Sequence, residues 1–315
     1  MQAVLDSHAS LDPKPVETLT PDEARKQPTV ADAVKALLRK QGKKADPKPV
    51  AKVKDTTIPG PAGDIPARVY TPAGAGPFPV VVYWHGGGFV FADVDVYDSS
   101  ARALCNAAGA VVVSCHYRQA PEHPFPAAPD DAFAAYQHVV KNAAGMGGNP
   151  KAIAVAGESA GGNLAALVCV RARDAGVQMP VHQLLVYPAV DWATEQPSVV
   201  QYADAKPLNR AMLKWFGKHY FKDPKQAADP KASPTFTLSL AKLPPATIIT
   251  ADIDPLRDQG KIYADKLKAA GVPVAYTNFS GVTHEFFGTG AVVDEAKRAV
   301  AVGAAGLKAG FAAGK

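Results

Sequence analysis

The chain has 315 residues, 47% of them hydrophobic, with 34 basic against 29 acidic side chains and a net charge of +5. That length allows one large or two ordinary domains with a full core, and so mild a positive excess argues against nucleic acid as a partner. The densest basic stretch, residues 39–54 (RKQGKKADPKPVAKVK), is broken by two prolines and has no interleaved aromatic, so it reads as a solvated connector. No apolar run reaches the length of about 18 residues that a membrane helix needs, and the opening MQAVLDSHAS lacks the basic-then-apolar pattern of a secretory leader. Cys105, Cys115 and Cys169 have no C-x-x-C spacing and read as reduced, buried residues. The expectation is a cytoplasmic protein without membrane contact.

Residues 1–45 are polar and helical in pattern. Within them, TPDEARK (20–26) combines a capping threonine, a proline at the first helical position and acids in the first turn, and VADAVKALLRKQG (30–42) reads as a helix ended by glycine. Two alternating segments around Gly60 and Gly63 then predict a hairpin. Six short apolar runs follow, at 78–84, 109–117, 151–157, 181–188, 245–252 and 272–281, of the kind that suits strands buried on both faces of a parallel sheet. Helical stretches at roughly 128–143, 159–175, 256–271 and 291–312 lie between or after them. The alternation predicts an α/β protein with an eight-stranded, mostly parallel sheet and helices on both faces. Residues 195–240 interrupt it with a polar, proline-spotted insertion carrying the amphipathic segment NRAMLKWFGKHYF (209–221). An insertion at the C-terminal edge of a parallel sheet overlies the ligand crevice. Together with the N-terminal helices it predicts a helical cap.

The chemistry begins at AVAGESAGGNLAALV (154–168), which runs strand, tight turn, helix around Gly157-Glu158-Ser159-Ala160-Gly161. This G-x-S-x-G stands a serine on a strained turn, and the glycines on either side make room for it. The simpler alternative is a helix-capping serine beside packing glycines. A serine hydroxyl needs a base. His284, in SGVTHEFFG after the last strand, is placed to supply one. Asp252, Asp254 and Asp258, in ADIDPLRDQG after the seventh strand, are the candidate acids. All lie at C-terminal strand ends. No metal site is expected, since an H-E-x-x-H motif would need a second histidine where Gly288 stands. The run HGGG (85–88) follows the third strand. Backbone amides that meet an oxyanion must be approached at about 2.7–3.1 Å, which side chains would block. A tight turn alone needs fewer glycines. Gly87 and Gly88 are therefore the expected donors, with Gly86 serving the turn and His85 holding the loop through a side-chain hydrogen bond.

The sequence resembles the hormone-sensitive-lipase-like branch of the α/β-hydrolases, the bacterial family IV carboxylesterases. The likeness rests on LTPDEAR near the start, HGGGF (85–89), YRQAPEHPFPAAPDD (117–131), GESAGGNLA (157–165), YPAVD (187–191), DPLRDQG (254–260) and GVTHEFF (281–287). It implies the α/β-hydrolase fold with a helical cap and a cofactor-free serine carboxylesterase acting on small esters of short to medium acyl chain. It also implies a triad of Ser159, Asp254 and His284, and oxyanion donors at Gly87, Gly88 and Ala160. A homodimer is left open. The implied division is 1–48 as N-terminal cap helices, 49–194 and 241–315 as the hydrolase core, and 195–240 as the cap insertion. Position 158 departs from the family's usual Asp or Thr, and Gln119 and Gln259 replace Leu and Glu. Glu158 reads either as a solvent-facing acid favoured at a helix N-terminus or as a contact to a neighbouring loop that shifts the pH profile. Trp84, Phe89, Trp215, Phe216 and Phe286 read equally as pocket walls or as ordinary aromatic core. Two other readings share the fold: a non-catalytic binder, as in the plant gibberellin receptors, which resemble this family and lack the catalytic histidine; and a hydrolase of amides or lactones.

Overall fold

The computed structural model describes residues 1–314. Its centre is one sheet of eight strands: β1 (Lys52–Gly60), β2 (Gly63–Thr71), β3 (Phe78–Trp84), β4 (Val111–Cys115), β5 (Gly148–Glu158), β6 (Gln183–Val186), β7 (Ala246–Ile253) and β8 (Val274–Thr283). The spatial order is β1-β2-β4-β3-β5-β6-β7-β8. The β1–β2 hairpin and the β2–β4 pair are antiparallel, and every pair from β4 to β8 is parallel. This is the predicted sheet.

The alternation of side chains along a strand divides the core between two faces. From β3, Val80, Val82 and Trp84 enter one cluster, and Val81 and Tyr83 enter the other. Helices α1 (Gln2–Ala9), α2 (Pro21–Ala24) and α3 (Val30–Lys40) precede the sheet. Between and after the strands come α4 (Asp98–Ala108), α5 (Ala127–Asn142), α6 (Ala160–Asp174), α7 (Pro197–Gln201), α8 (Arg210–Tyr220), α9 (Arg257–Ala269) and α10 (Asp294–Ala313). The Val80 face is covered by α5, α6 and α9, and the Val81 face by α3, α4 and α10. Helix α4 is absent from the expected elements. It begins after Tyr97 without a side-chain cap, so it lacks the start signal that marks α2 and α3, whose Thr20 and Thr29 form capping boxes with Glu23 and Asp32.

The insertion helix α8 starts at Asn209, whose side chain accepts from the Met212 amide at 2.8 Å, and it buries Met212, Trp215, Phe216 and Tyr220. The Trp215 indole donates to the Leu19 carbonyl at 3.0 Å, tying the insertion to the N-terminal segment. Both segments line one cavity with Gly87, Gly88, Ser159 and His284, which follow β3, β5 and β8. Among the described residues no helix is long and apolar enough to cross a membrane.

Candidate active site

Ser159 leaves β5 with φ +55° and ψ −117°, outside the conformations an L-residue prefers. The turn holds because nothing larger than hydrogen fits beside it. A Cβ on Gly157 would lie 2.1 Å from the Gly161 carbonyl oxygen, and one on Gly161 would lie 2.0 Å from that of Trp84. The Ser159 amide donates to Val186 at 2.9 Å, pinning the elbow to β6.

Three loops bring the candidates together. His284 Nε2 lies 2.9 Å from Ser159 Oγ, and His284 Nδ1 lies 2.7 Å from Asp254 Oδ2. The other Asp254 oxygen accepts from the Leu256 amide at 2.8 Å. All three side chains are buried. The competing acids are engaged elsewhere: Asp258 accepts from the Ser198 amide and from Arg257, and Asp252 faces Arg257 and Asn278. Burial pushes the His284 imidazole down, but Asp254 beside it, with Glu285 and Glu158 nearby, carries it above the ordinary histidine value.

The glycine run opens beside this chain. Gly87 and Gly88 have φ of +101° and +59°. A Cβ on Gly87 would meet the Phe91 carbonyl oxygen at 2.1 Å, and one on Gly88 would meet the Phe216 ring at 2.2 Å. Among the described residues neither amide donates to a backbone carbonyl. Ala160, first residue of α6, has one of the N–H groups that a helix start leaves free. Gly86 has no positive φ, and the left-handed backbone belongs to Gly87 and Gly88. What excludes a side chain at Gly86 is the Tyr97 hydroxyl, 2.3 Å from where its Cβ would stand.

His85 is buried beside the glycine run. Its Nδ1 donates to the Gly86 carbonyl at 2.7 Å, its Nε2 lies 2.9 Å from His116 Nδ1, and its ring stacks on Tyr117. Burial, then the neighbouring His116, push its imidazole down to about 3, so it stays neutral. A second brace was not anticipated. Arg25, from the LTPDEAR segment, donates to the carbonyls of Val90 and Ala120 at 3.0 Å each and forms a bidentate pair with Glu122.

Glu158 does not face solvent. It is buried, ends β5, and accepts from the Tyr83 hydroxyl at 2.6 Å and from the Tyr187 hydroxyl. Burial raises its carboxyl to about 7 against the opposing pull of those two hydrogen bonds. The solvent reading failed because both tyrosines come from distant parts of the chain. Glu285, which the motifs did not single out, sits at φ +67° and accepts from the Tyr97 hydroxyl at 2.5 Å. Its strained backbone next to His284 leaves no sequence signal.

Ser159, His284, Gly87 and Gly88 open into a cavity of about 340 Å³. Its walls include His8, Arg25, Pro28 and Thr29 from the N-terminal segment and Leu208, Met212 and Phe216 from the insertion. Of the five aromatics that read as walls or core, only Phe216 lines it. Trp84 and Phe89 belong to the core, with Phe89 stacked on Tyr220. Phe286 packs on Phe279 and Tyr187, and Trp215 turns to Leu19. Phe91, Leu208 and Met212 take their place.

A serine on an elbow, hydrogen-bonded to an imidazole that is itself bonded to a buried carboxylate, all at the C-terminal edge of a doubly covered sheet, defines an α/β-hydrolase site. Comparison with known proteins agrees. A model described as alpha/beta hydrolase fold matches residues 81–288. The carboxylesterase NlhH of Mycobacterium tuberculosis is 43% identical over 291 residues, 89% of this chain and 90% of its own length. The carboxylic ester hydrolase LipN of the same organism is also 43% identical, over 74% of this chain, and the match spans 64% of LipN. The solved structure of a hyperthermophilic esterase from the archaeon Pyrobaculum calidifontis superposes with a TM-score of 0.88 at 40% identity, covering 98% of this chain and 96% of that one. The chain therefore belongs to the α/β-hydrolase fold family, in its hormone-sensitive-lipase-like branch. Its enzyme class is carboxylic ester hydrolase.

Proposed function

We propose that the chain is a serine carboxylesterase that hydrolyses small esters of short to medium acyl chain through an acyl-enzyme. The observation that carries this reading is the unbroken hydrogen-bond chain Ser159–His284–Asp254 at the floor of the cavity. Ser159 Oγ attacks the ester carbonyl as His284 Nε2 takes its proton. Asp254 fixes the tautomer and steadies the imidazolium. The tetrahedral oxyanion is met by the amides of Gly87, Gly88 and Ala160. His284 returns the proton to the leaving alcohol, and water repeats the sequence on the acyl group. A cavity of about 340 Å³ supports small substrates. Residues 1–48 and 195–240 act as the cap over a core made of 49–194 and 241–315, a division supported by the walls that both segments supply. His284 is present and bonded to Ser159, which favours catalysis over a binder that has lost its base. Ser159→Ala tests the reading on nitrophenyl butyrate: hydrolysis falls to background, and near-wild-type turnover would overturn the assignment.

A further inference from the structure

The residues that directly follow the proposed base and directly precede the proposed nucleophile are both glutamates; Glu158 is buried, while Glu285 is half-buried and also lines the larger cavity. Glu158 is held between Tyr83 of β3 and Tyr187 beyond β6, and the Tyr187 ring lies 4.5 Å from that of His284. Glu285 is held by Tyr97 at the start of α4. Both glutamates line a second, small cavity of about 20 Å³ together with Tyr97 and Ser100, closed from the α3 side by Val30 and Val34. That volume suits about one water molecule. The Ser100 hydroxyl in its wall is buried.

No lysine or arginine among the described residues pairs with either glutamate. The titratable groups around them are the three tyrosines, which donate, His284 with Asp254, and His8 of α1, which favours ionisation of Glu285. Two carboxylates that line one small cavity disfavour each other's ionisation. Burial is the largest cause raising each carboxyl, and the charge of Glu285 adds to the rise at Glu158.

We propose that Glu158 and Glu285 hold one proton and one negative charge between them, and that this charge is a positioning device for the His284 imidazolium. The exchange balances: one carboxyl O–H breaks, the proton crosses the small cavity, and the other carboxylate takes it up, leaving the net charge unchanged. If one partner is replaced by glutamine, the other keeps the charge. Only the double replacement removes it. The kinetic consequence rests on His284 being the base; the shared proton does not.

Two measurements on the full-length enzyme test the proposal. The infrared difference between wild type and E158Q, and between wild type and E285Q, is recorded at neutral pH. Each variant should lose one protonated-carboxyl band and no carboxylate band. Loss of a carboxylate band from either single variant, or no protonated-carboxyl band in wild type, would overturn the shared proton. In kcat/KM against pH, the acid limb of each single variant should stay within about 0.3 unit of wild type, while E158Q/E285Q moves it down by more than about half a unit. Single shifts that add up to the double shift would show two independent charges and overturn the proposal. The infrared arm needs neither a folded double variant nor turnover. It therefore separates failure of the pair from failure of the esterase reading, which Ser159→Ala decides.

Discussion

Asp254→Asn is the most informative single replacement, because the structure dictates how the amide must sit. One Asp254 oxygen accepts from the Leu256 amide at 2.8 Å and the other faces His284 Nδ1 at 2.7 Å. An asparagine must keep its carbonyl toward the Leu256 N–H, which turns its NH₂ toward Nδ1. The ring nitrogen must then accept, so the imidazole proton moves to Nε2 and points at Ser159 Oγ. In that tautomer His284 cannot take the serine proton. The expected loss is about 10⁴-fold in kcat, or about 5 kcal/mol of transition-state stabilisation. Asp258→Asn is the matched control. Asp258 caps the Ser198 amide and pairs with Arg257, with no link to His284, so its loss should stay within about tenfold. Both variants are assayed on nitrophenyl butyrate at saturating substrate, with circular dichroism to verify folding. A folded Asp254→Asn within tenfold of wild type, or Asp258→Asn as the more damaging of the two, would refute the tautomer argument.

Other expectations follow from the same geometry. Gly87→Ala forces a side chain into φ +101° and to within 2.1 Å of the Phe91 carbonyl oxygen. Shifting this amide should cost about 3 kcal/mol, mostly in kcat; a loss confined to KM would argue against an oxyanion role. Phe216→Ala opens the cavity wall over Gly88, so the acyl-length optimum of a nitrophenyl ester series should move to longer chains, and an unmoved optimum would contradict this wall assignment. His284 must be neutral to act as base and its pKa lies above the ordinary value. Hence kcat/KM of wild type should fall with acid along a limb above the usual histidine value of about 6.5, and a limb well below it would contradict the influence of Asp254.

The central strands were legible because burial on both faces leaves uninterrupted apolar runs, as in FPVVVYW and GAVVVSCHY. The elbow and the glycine run were legible because their chemistry demands fixed residue types at close spacing. Asp254 could not be told from Asp252 and Asp258 by spacing alone; the family likeness singled it out, and the direction of each side chain distinguishes it in the structure. The surroundings of Glu158 and Glu285 were not legible. Their tyrosine partners lie 75, 29 and 188 positions away in the chain, and only the folded sheet brings them together. Pocket wall and core could not be told apart among the aromatics for a related reason. Aromatic content marks residues that bury well, and Trp84, Phe89 and Phe286 satisfy that by packing into the core. Arg25 likewise reads as an ordinary helix-end cation until its reach to Val90, Ala120 and Glu122 is seen.

The most direct test of the whole account is covalent. Treatment with an organophosphate carrying a nitrophenyl leaving group, followed by mass spectrometry of the intact protein and its peptides, should give a single adduct on Ser159 in step with loss of esterase activity. Ser159→Ala should take up none. An adduct on a different serine, or full inactivation with Ser159 unmodified, would contradict the assignment of this site.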